Sequence, residues 1–203
     1  MHPVLTAVSF IVSYLIGSIS FSYLITKKIK KIDIRKTGSG NAGATNTLRV
    51  LGVGPAIGVL VLDVLKGVAA VLIARSFGLA DWAVALSGLL AIVGHDFPVY
   101  FGFKGGKGVA TTIGVFFMMM PLEALIAGIL AIVIIAISRF VSVGSLFFLL
   151  VTPVLGYILA GYSPAVLVAV FLITLLGYYQ HRENIIRLLH GKENKIGGKK
   201  SQA

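Results

Sequence analysis

A polar, glycine-rich stretch stands out in this very apolar chain, and its residues could bind an anion. It spans residues 38–49 and reads Gly-Ser-Gly-Asn-Ala-Gly-Ala-Thr-Asn-Thr-Leu-Arg. Closely spaced glycines let the backbone direct several N–H groups toward one point, which suits a phosphate. Five lysines and Arg35 precede this first polar stretch, and Arg49 ends it. A flexible basic loop between two membrane helices is the alternative interpretation.

A second polar stretch, residues 94–108, has Lys104 and Lys107 on either side of a double glycine and leads into an apolar segment. N–H groups at a helix N-terminus, together with a lysine ammonium, can form an anion site. The stretch is not a Walker A loop, because three residues rather than four separate Gly102 from the Gly-Lys pair and Gly108 replaces the magnesium-binding Ser or Thr. Nucleotide hydrolysis is therefore not supported, and the alternative is a tight, positively charged turn.

Two further polar stretches carry candidate side chains. The third, residues 138–142, joins two apolar segments and ends at Ser142. The fourth, residues 180–193, places His181 and Asn184 on one face if it is helical, which would suit a helix lying at the membrane interface. For both stretches, ordinary topology and contact with the lipid surface are the alternatives.

Two charged residues, Asp63 and Lys66, lie inside a long apolar segment. A lone charge at such a position costs several kcal/mol. Because the two residues are three positions apart on a predicted helix, they face the same way and can pair. A structural ion pair is predicted here in preference to a proton or substrate relay.

The composition indicates a polytopic α-helical membrane protein. The chain is 57% hydrophobic and 12% charged, whereas soluble domains carry about 25% charged residues. It has no cysteine, which excludes disulfides, thiolate catalysis and cysteine-bound metals, and its four histidines have no metal-ligand spacing. The net charge of +11 is attributed to topology and anionic lipids, not to nucleic acid.

Seven transmembrane helices are predicted, with the N-terminus outside and the C-terminus in the cytoplasm. They cover residues 4–26, 50–74, 82–94, the two halves of 109–137, 143–160 and 165–179. The division of 109–137 depends on Pro121 and Glu123 near its middle. With this count every Lys and Arg except Lys66 and Arg75 lies on the cytoplasmic side, as the positive-inside rule requires. One undivided helix would instead place Arg139 and the basic tail outside.

All four polar stretches are cytoplasmic in this topology, which predicts one site at the cytoplasmic interface. The chain is expected to be a single all-α membrane domain over residues 1–203, with a basic tail from about residue 190. The competing class is a transporter or flippase for a phosphate-bearing solute or lipid. Such a protein would also need polar motifs on its outer face, and here the external turns are short and nearly featureless. The chain has no His-x-x-x-x-Asp motif and no Asp-Gly pair, so soluble-domain acyltransferases and CDP-alcohol phosphotransferases are excluded as close relatives.

In order and spacing, residues 39–49, 94–111 and 181–193 resemble the three signature blocks of the bacterial membrane acyl-phosphate:glycerol-3-phosphate acyltransferases. The resemblance spans essentially the whole chain, without a departure at the motif positions. It implies transfer of a fatty acyl group from acyl phosphate to the 1-hydroxyl of sn-glycerol 3-phosphate, giving lysophosphatidic acid and inorganic phosphate. This is the first step of bacterial phospholipid synthesis, at the cytoplasmic (inner) membrane. Neither acyl-CoA nor acyl-carrier protein, metal, cofactor or obligate protein partner is implied.

Within this framework we assign residue roles as hypotheses. Backbone N–H groups and amides of the first polar stretch would hold the acyl-phosphate headgroup: Gly40, Asn41, Gly43, Ala44, Thr45 and Asn46. Glycerol 3-phosphate would be held by Ser39, Arg49, Lys104, Ser142, His181 and Asn184. Phosphate charge would be neutralised at Gly105, Gly106, Lys107 and Gly108, whereas Asp63, Lys66 and Glu193 would be structural.

The expected chemistry needs no protein nucleophile, because an acyl phosphate is already activated. Positioning and charge stabilisation could supply most of the rate. Either His181 or a phosphate oxygen of the substrate accepts the hydroxyl proton.

Overall fold

The computed structural model describes residues 3–159 and 161–197, and within these ranges all regular structure is helical. The α-helices are α1 (Pro3–Gly17), α2 (Phe21–Lys30), α3 (Ala44–Leu51), α4 (Val53–Ser76), α5 (Asp81–Asp96), α6 (Val109–Met119), α7 (Pro121–Ser138), α8 (Val141–Leu159), α9 (Pro164–Gln180) and α10 (Arg182–Leu189). Short 3₁₀ turns occur at Ile34–Lys36 and Val99–Phe101. The end of the predicted basic tail, residues 198–203, lies outside the described residues.

The helices confirm a multi-pass membrane protein. Within the described ranges, five segments are long and apolar enough to cross a bilayer: α1 with α2, α4, α5 with the 3₁₀ turn after it, α7 and α8. A sixth is obtained if α9 and α10, which meet at a 57° bend, are counted together. Helix α6 is apolar but has only 11 residues, or about 16 Å of length against about 30 Å of hydrocarbon. The count of seven spans and the orientation of the termini stay predictions.

The first span is broken, so the prediction of one helix over residues 4–26 is wrong. Helix α1 ends at Gly17 and α2 begins at Phe21. At Gly17 the backbone of α1 touches that of α5, since a Cβ there would clash with the carbonyl of Ala91. The carbonyls of Gly17 and Ile19 at the break accept hydrogen bonds from Lys66 of α4, both at 2.9 Å. A side chain from another helix thus satisfies carbonyls in the broken helix, as a bilayer requires.

The region expected to be a basic loop, residues 27–49, is largely structured. Helix α2 extends to Lys30, and α3 already begins at Ala44. Gly52, with a φ of 88°, separates α3 from α4. Because only glycine adopts such a conformation readily, the second span begins at Val53 instead of residue 50.

The predicted division of residues 109–137 is confirmed. Helix α6 ends at Met119 and α7 begins at Pro121, whose fixed φ favours the first turn of a helix. Glu123 is buried in the first turn of α7 and accepts a hydrogen bond from the Tyr162 hydroxyl at 3.3 Å. This contact joins the α6–α7 turn to the segment before α9.

Small residues let the central helices approach closely. A Cβ at Gly67 of α4 would clash with the carbonyl of Thr111, and a Cβ at Gly114 of α6 would clash with the carbonyl of Val64. Such backbone contact is typical of helix pairs in membranes. Phe116 of α6 is fully buried in the apolar core. The close α4–α6 pair therefore fixes the start of α6, where the second polar stretch ends.

Candidate active site

The side chain of Asn46 holds the first polar stretch in its folded shape. Asn46 is buried, and its Oδ1 accepts the N–H of Ser39 at 2.9 Å. Its Nδ2 donates to the carbonyls of Ile34 at 3.2 Å and Thr37 at 2.9 Å. Since both amide atoms are used within the protein, Asn46 shapes the loop instead of presenting a free amide to a ligand.

Helix α3 starts immediately after this loop. Its N-cap is Gly43, in an extended conformation, and its first residues are Ala44 and Thr45. The first N–H groups of a helix have no partner within the helix, and they attract anions. The predicted headgroup residues therefore lie on a loop and the helix N-terminus that follows it.

The first and second polar stretches lie side by side. The N–H of Ala42 donates to the carbonyl of Gly105 at 3.3 Å, and Arg35 Nη1 donates to the carbonyl of Phe101 at 2.6 Å. Arg35 is also paired with Asp33 at 2.8 Å, and its hydrogen bonds lower the pKa of Asp33 to about 2. Two glycine-rich segments that are far apart in the sequence thus form one continuous surface.

The second polar stretch folds back tightly on the end of α5. The N–H of Gly105 donates to the carbonyl of Asp96 at 3.2 Å, and that of Gly106 donates to the carbonyl of His95 at 3.1 Å. A Cβ at Gly106 would clash with His95 Nε2 and lie 2.7 Å from the carbonyl oxygen of Ala42. Position 106 therefore has no room for a side chain.

A hydrogen-bond network around Glu193 joins the second, third and fourth polar stretches. Glu193 Oε1 accepts Ser142 Oγ at 3.1 Å and Asn184 Nδ2 at 2.7 Å, and its Oε2 accepts Arg187 Nε at 2.9 Å. Lys107 Nζ donates to Asn184 Oδ1. The side chain of Glu193 is 5% exposed, so this carboxylate is buried and fully hydrogen-bonded. We call these five residues the Glu193 network.

Several cationic side chains lie in or near the Glu193 network. Burial, and secondarily the nearby Arg187, lower the pKa of Lys107 from its ordinary value. The Arg49 guanidinium, on α3, interacts electrostatically with Glu193 and Arg187. Lys104 lies exposed on the turn that precedes Lys107. These cations make the surface suitable for a doubly charged phosphate.

His181 is buried at the junction between α9 and α10. Its Nδ1 lies 2.7 Å from the carbonyl of Gly177. Because a carbonyl only accepts, Nδ1 carries the hydrogen, and Nε2 of the neutral ring is left as an acceptor. Burial lowers the pKa of His181 to about 4, although the hydrogen bond to Gly177 acts in the opposite direction. The ring is therefore neutral at physiological pH.

Replacing His181 with glutamine should reduce the pH dependence of stability. A histidine whose pKa is lower in the folded state binds fewer protons there than in the unfolded state, so the folded state loses stability as the pH falls from about 6.5 toward 4. Between pH 7 and pH 5 this loss amounts to about 2 kcal/mol. We expect the melting temperature in detergent to fall over this interval and to fall less for His181→Gln. Equal slopes for the two proteins would contradict the assignment.

The structure brings some of the residues singled out from the sequence into direct contact. Lys107, Ser142, Asn184 and Glu193 meet directly. The predicted Asp63–Lys66 ion pair is present at 3.0 Å, but it contacts His95 and not the Glu193 network. Sequence reasoning gave no role to two residues that the structure places in these contacts, His95 and Arg187, although both stand within the polar stretches.

Known proteins resemble the chain over almost its whole length. Residues 7–191 match the family described as glycerol-3-phosphate acyltransferase. A glycerol-3-phosphate acyltransferase of Halalkalibacterium halodurans is 54% identical over 193 residues, which cover 93% of this chain and 94% of the relative. Glycerol-3-phosphate acyltransferase 2 of Thermotoga maritima is 45% identical over 188 residues, covering 92% and 94%.

Two crystal structures share the fold. One is the glycerol 3-phosphate form of PlsY (YgiH), an integral membrane glycerol 3-phosphate acyltransferase, with a TM-score of 0.89, 43% identity and coverage of 95% of this chain and 96% of that one. The other is the lysophosphatidic acid form of PlsY, with a TM-score of 0.86, 42% identity and coverage of 94% of each chain.

Proposed function

This chain belongs to the glycerol-3-phosphate acyltransferase family and acylates glycerol 3-phosphate to lysophosphatidic acid, and from that premise we propose that its acyl donor is an acyl phosphate. The fatty acyl group passes to the 1-hydroxyl of sn-glycerol 3-phosphate, and inorganic phosphate leaves. The reaction uses no acyl-CoA, acyl-carrier protein, metal or other cofactor, and no obligate protein partner.

The observation that carries this proposal is the contact between the two glycine-rich segments. Ala42 and Gly105 are joined by a backbone hydrogen bond of 3.3 Å, so two segments that each suit an anion are neighbours. Glycerol 3-phosphate and acyl phosphate each bring one phosphate. A pair of adjacent anion sites is what a reaction between two phosphate-bearing substrates needs.

Each substrate is assigned to the segment whose backbone N–H groups or side chains suit it. The loop before α3 and the N–H groups of its first turn hold the acyl-phosphate headgroup, and Asn46 keeps that loop in shape. Glycerol 3-phosphate is held by Ser39, Arg49, Lys104, Ser142, His181 and Asn184. Glu193 positions two of them, Ser142 and Asn184, through its hydrogen bonds. Lys107 neutralises phosphate charge between the two substrates.

The chemical step is direct acyl transfer. The 1-hydroxyl oxygen attacks the acyl carbonyl carbon, the new ester C–O bond forms, and the bond between the carbonyl carbon and the phosphate oxygen breaks. The hydroxyl proton goes either to His181 Nε2, which is unprotonated in the neutral ring, or directly to a phosphate oxygen. The cationic side chains of Arg49, Lys104 and Lys107 stabilise the negative charge that develops on the carbonyl oxygen and the leaving phosphate.

We place this site at the cytoplasmic face of the inner membrane, in one domain of seven spans with the N-terminus outside. Helices occupy all seven predicted places, and α6 is the short one. With this orientation the exposed lysines of α2 and the described part of the basic tail face the anionic cytoplasmic leaflet.

The test of the donor is an assay with purified protein in detergent. We expect acyl phosphate and glycerol 3-phosphate together to give lysophosphatidic acid, with one inorganic phosphate released for each ester formed. Phosphate release should depend on glycerol 3-phosphate. Acyl-CoA of the same chain length is the comparison donor. Product formation from acyl-CoA but not from acyl phosphate would overturn the proposal.

Replacing Arg49 or Lys104 with glutamine should weaken binding of a phosphate substrate. Each replacement removes one cation that we assign to glycerol 3-phosphate, so we expect KM to rise at least tenfold for one of the two substrates. Varying each substrate in steady-state assays identifies which one. Lys28→Gln is the matched control, because it removes the same charge from an exposed position on α2. If both site variants keep KM values like those of Lys28→Gln, the assignment of these cations is wrong.

A further inference from the structure

A buried cluster of charged and polar groups lies next to the site but outside it. Lys66 Nζ, from α4, lies 2.9 Å from the carbonyl oxygens of both Gly17 and Ile19 and 2.7 Å from His95 Nδ1. It also lies 3.0 Å from Asp63 Oδ1. The side chains of Lys66 and Asp63 are 2% and 1% exposed. Such buried charges in a membrane protein mark a function or a structural constraint.

The hydrogen bonds of Lys66 are fully matched. An ammonium has three N–H donors, and four acceptors lie within 3.0 Å of it: the carbonyls of Gly17 and Ile19, His95 Nδ1 and Asp63 Oδ1. Asp63 supplies the opposite charge. Because an ammonium cannot accept, His95 Nδ1 must be the acceptor, and the proton of the neutral ring is on Nε2. Lys66 therefore fixes both the tautomer and the orientation of His95.

His95 in turn shapes the second polar stretch. Its carbonyl accepts the N–H of Gly106 at 3.1 Å, and its ring fills the space where a side chain at position 106 would lie. The next residue after Gly106 is Lys107, which belongs to the Glu193 network. The orientation of one imidazole ring thus sets the path of the turn that carries Lys107.

The other two hydrogen bonds of Lys66 act on the first polar stretch indirectly, through the break between α1 and α2. They fix the break between α1 and α2, and so the direction in which α2 leaves the bundle. Helix α2 leads to Arg35, which contacts Phe101, and then to the loop whose Ala42 contacts Gly105. Lys66 is the one residue within the described ranges that is hydrogen-bonded both to the α1–α2 break and to His95.

We propose that Lys66 is a positioning residue for acyl transfer: through His95 it holds the second polar stretch, and through the carbonyls of Gly17 and Ile19 it holds the segment that leads to the first. It contacts neither substrate. This inference rests on the proposed function in that both stretches are taken to bind phosphates.

The test uses the double variant Asp63→Asn/Lys66→Met beside Lys66→Met. Lys66→Met alone leaves a buried carboxylate without its partner, which can prevent folding. The double variant removes both charges and still lacks every donor of Lys66. Glu123→Gln is the control, because it changes another buried polar contact, to Tyr162, in a part of the chain that the site does not use.

Two readouts separate positioning from a general loss of stability. The first is KM and kcat for each substrate. The second is the mobility of a spin label at position 103, introduced as Phe103→Cys. The chain has no cysteine of its own and Phe103 is 59% exposed, so a single site is labelled. The label reports on the second polar stretch directly and does not depend on catalysis.

For the double variant we expect a rise of at least tenfold in KM for one or both substrates and a more mobile label, at a melting temperature close to that of Glu123→Gln. Wild-type KM values and wild-type label mobility would overturn the proposal. A fall in kcat alone, with an unchanged label and a matching fall in Glu123→Gln, would show a merely structural role and overturn it as well. Failure of the wild-type protein to use acyl phosphate would overturn only the proposal that acyl phosphate is the donor. The proposal for Lys66 would still be tested, because the mobility of the label does not depend on catalysis.

Discussion

Replacing Gly106 with alanine is expected to reduce acyl transfer at least a hundredfold while the protein still folds. The added Cβ would clash with the His95 ring and lie 2.7 Å from the carbonyl oxygen of Ala42. His95 cannot turn away without losing its hydrogen bond to Lys66. The second polar stretch must move instead, and a displacement of about 1 Å can cost a hundredfold in rate. The measurements are kcat and KM with both substrates, together with the melting temperature in detergent.

Two other glycines serve as controls for this prediction. A Cβ at Gly54, in α4, meets no atom within 4 Å, so Gly54→Ala should keep full activity. Gly102 also has open space, but its φ is 65°, so Gly102→Ala tests backbone strain without a clash. We expect Gly102→Ala to lose far less activity than Gly106→Ala. Equal losses at positions 102 and 106 would show that strain, not space beside His95, governs the turn.

Replacing Glu193 with glutamine is the second substitution with a large expected effect, on both stability and activity. The carboxylate accepts hydrogen bonds from Ser142, Asn184 and Arg187 at once. An amide has only one oxygen, and its NH₂ group would face donors. Removing one partner of a fully buried ion pair costs about 3–5 kcal/mol. The cost is smaller here, because the Arg187 side chain is 35% exposed. We expect a fall in the melting temperature of more than about 5 °C and at least a hundredfold loss of activity.

Glu183 provides the matched control, because it pairs with the same arginine. Its carboxylate lies 3.8 Å from Arg187, and its side chain is 70% exposed. Exposed pairs of this kind contribute less than about 1 kcal/mol. Glu183→Gln makes the same change of charge and should keep activity within twofold of wild type. If Glu193→Gln behaves like Glu183→Gln, the carboxylate at position 193 does not hold the network together.

The sequence predicted best those features that depend on residues close together in the chain. Pro121 marks the break between α6 and α7 because its ring cannot continue the preceding helix. Asp63 and Lys66 are neighbours on one helix face, so their pairing follows from their spacing. The clustering of Lys107 with Asn184 agrees with the prediction that the polar stretches meet, although that prediction came from topology and resemblance, not from geometry.

The contacts that the sequence did not reveal are those between distant segments. Gly17 alone does not establish that α1 ends there, because the break is stabilised by Lys66, 49 positions later. The role of His95 is equally hidden, since Lys66 and Gly106 are its partners only in the folded protein. The hydrogen bonds of the Asn46 side chain to Ser39, Ile34 and Thr37 could not be read from the sequence either, and the role of its stretch in holding the headgroup stays a prediction.

The broken first span also has a consequence for how the protein is made. The carbonyls of Gly17 and Ile19 receive their hydrogen bonds from a residue that the ribosome adds later, in the next long helix. Until Lys66 enters the bilayer, those carbonyls need another donor, either water or the backbone N–H groups of an unbroken helix, because hydrocarbon offers none. Lys66 in turn arrives with Asp63 beside it, which reduces the cost of inserting its charge. The first two spans therefore complete their membrane integration as a pair, not one after the other.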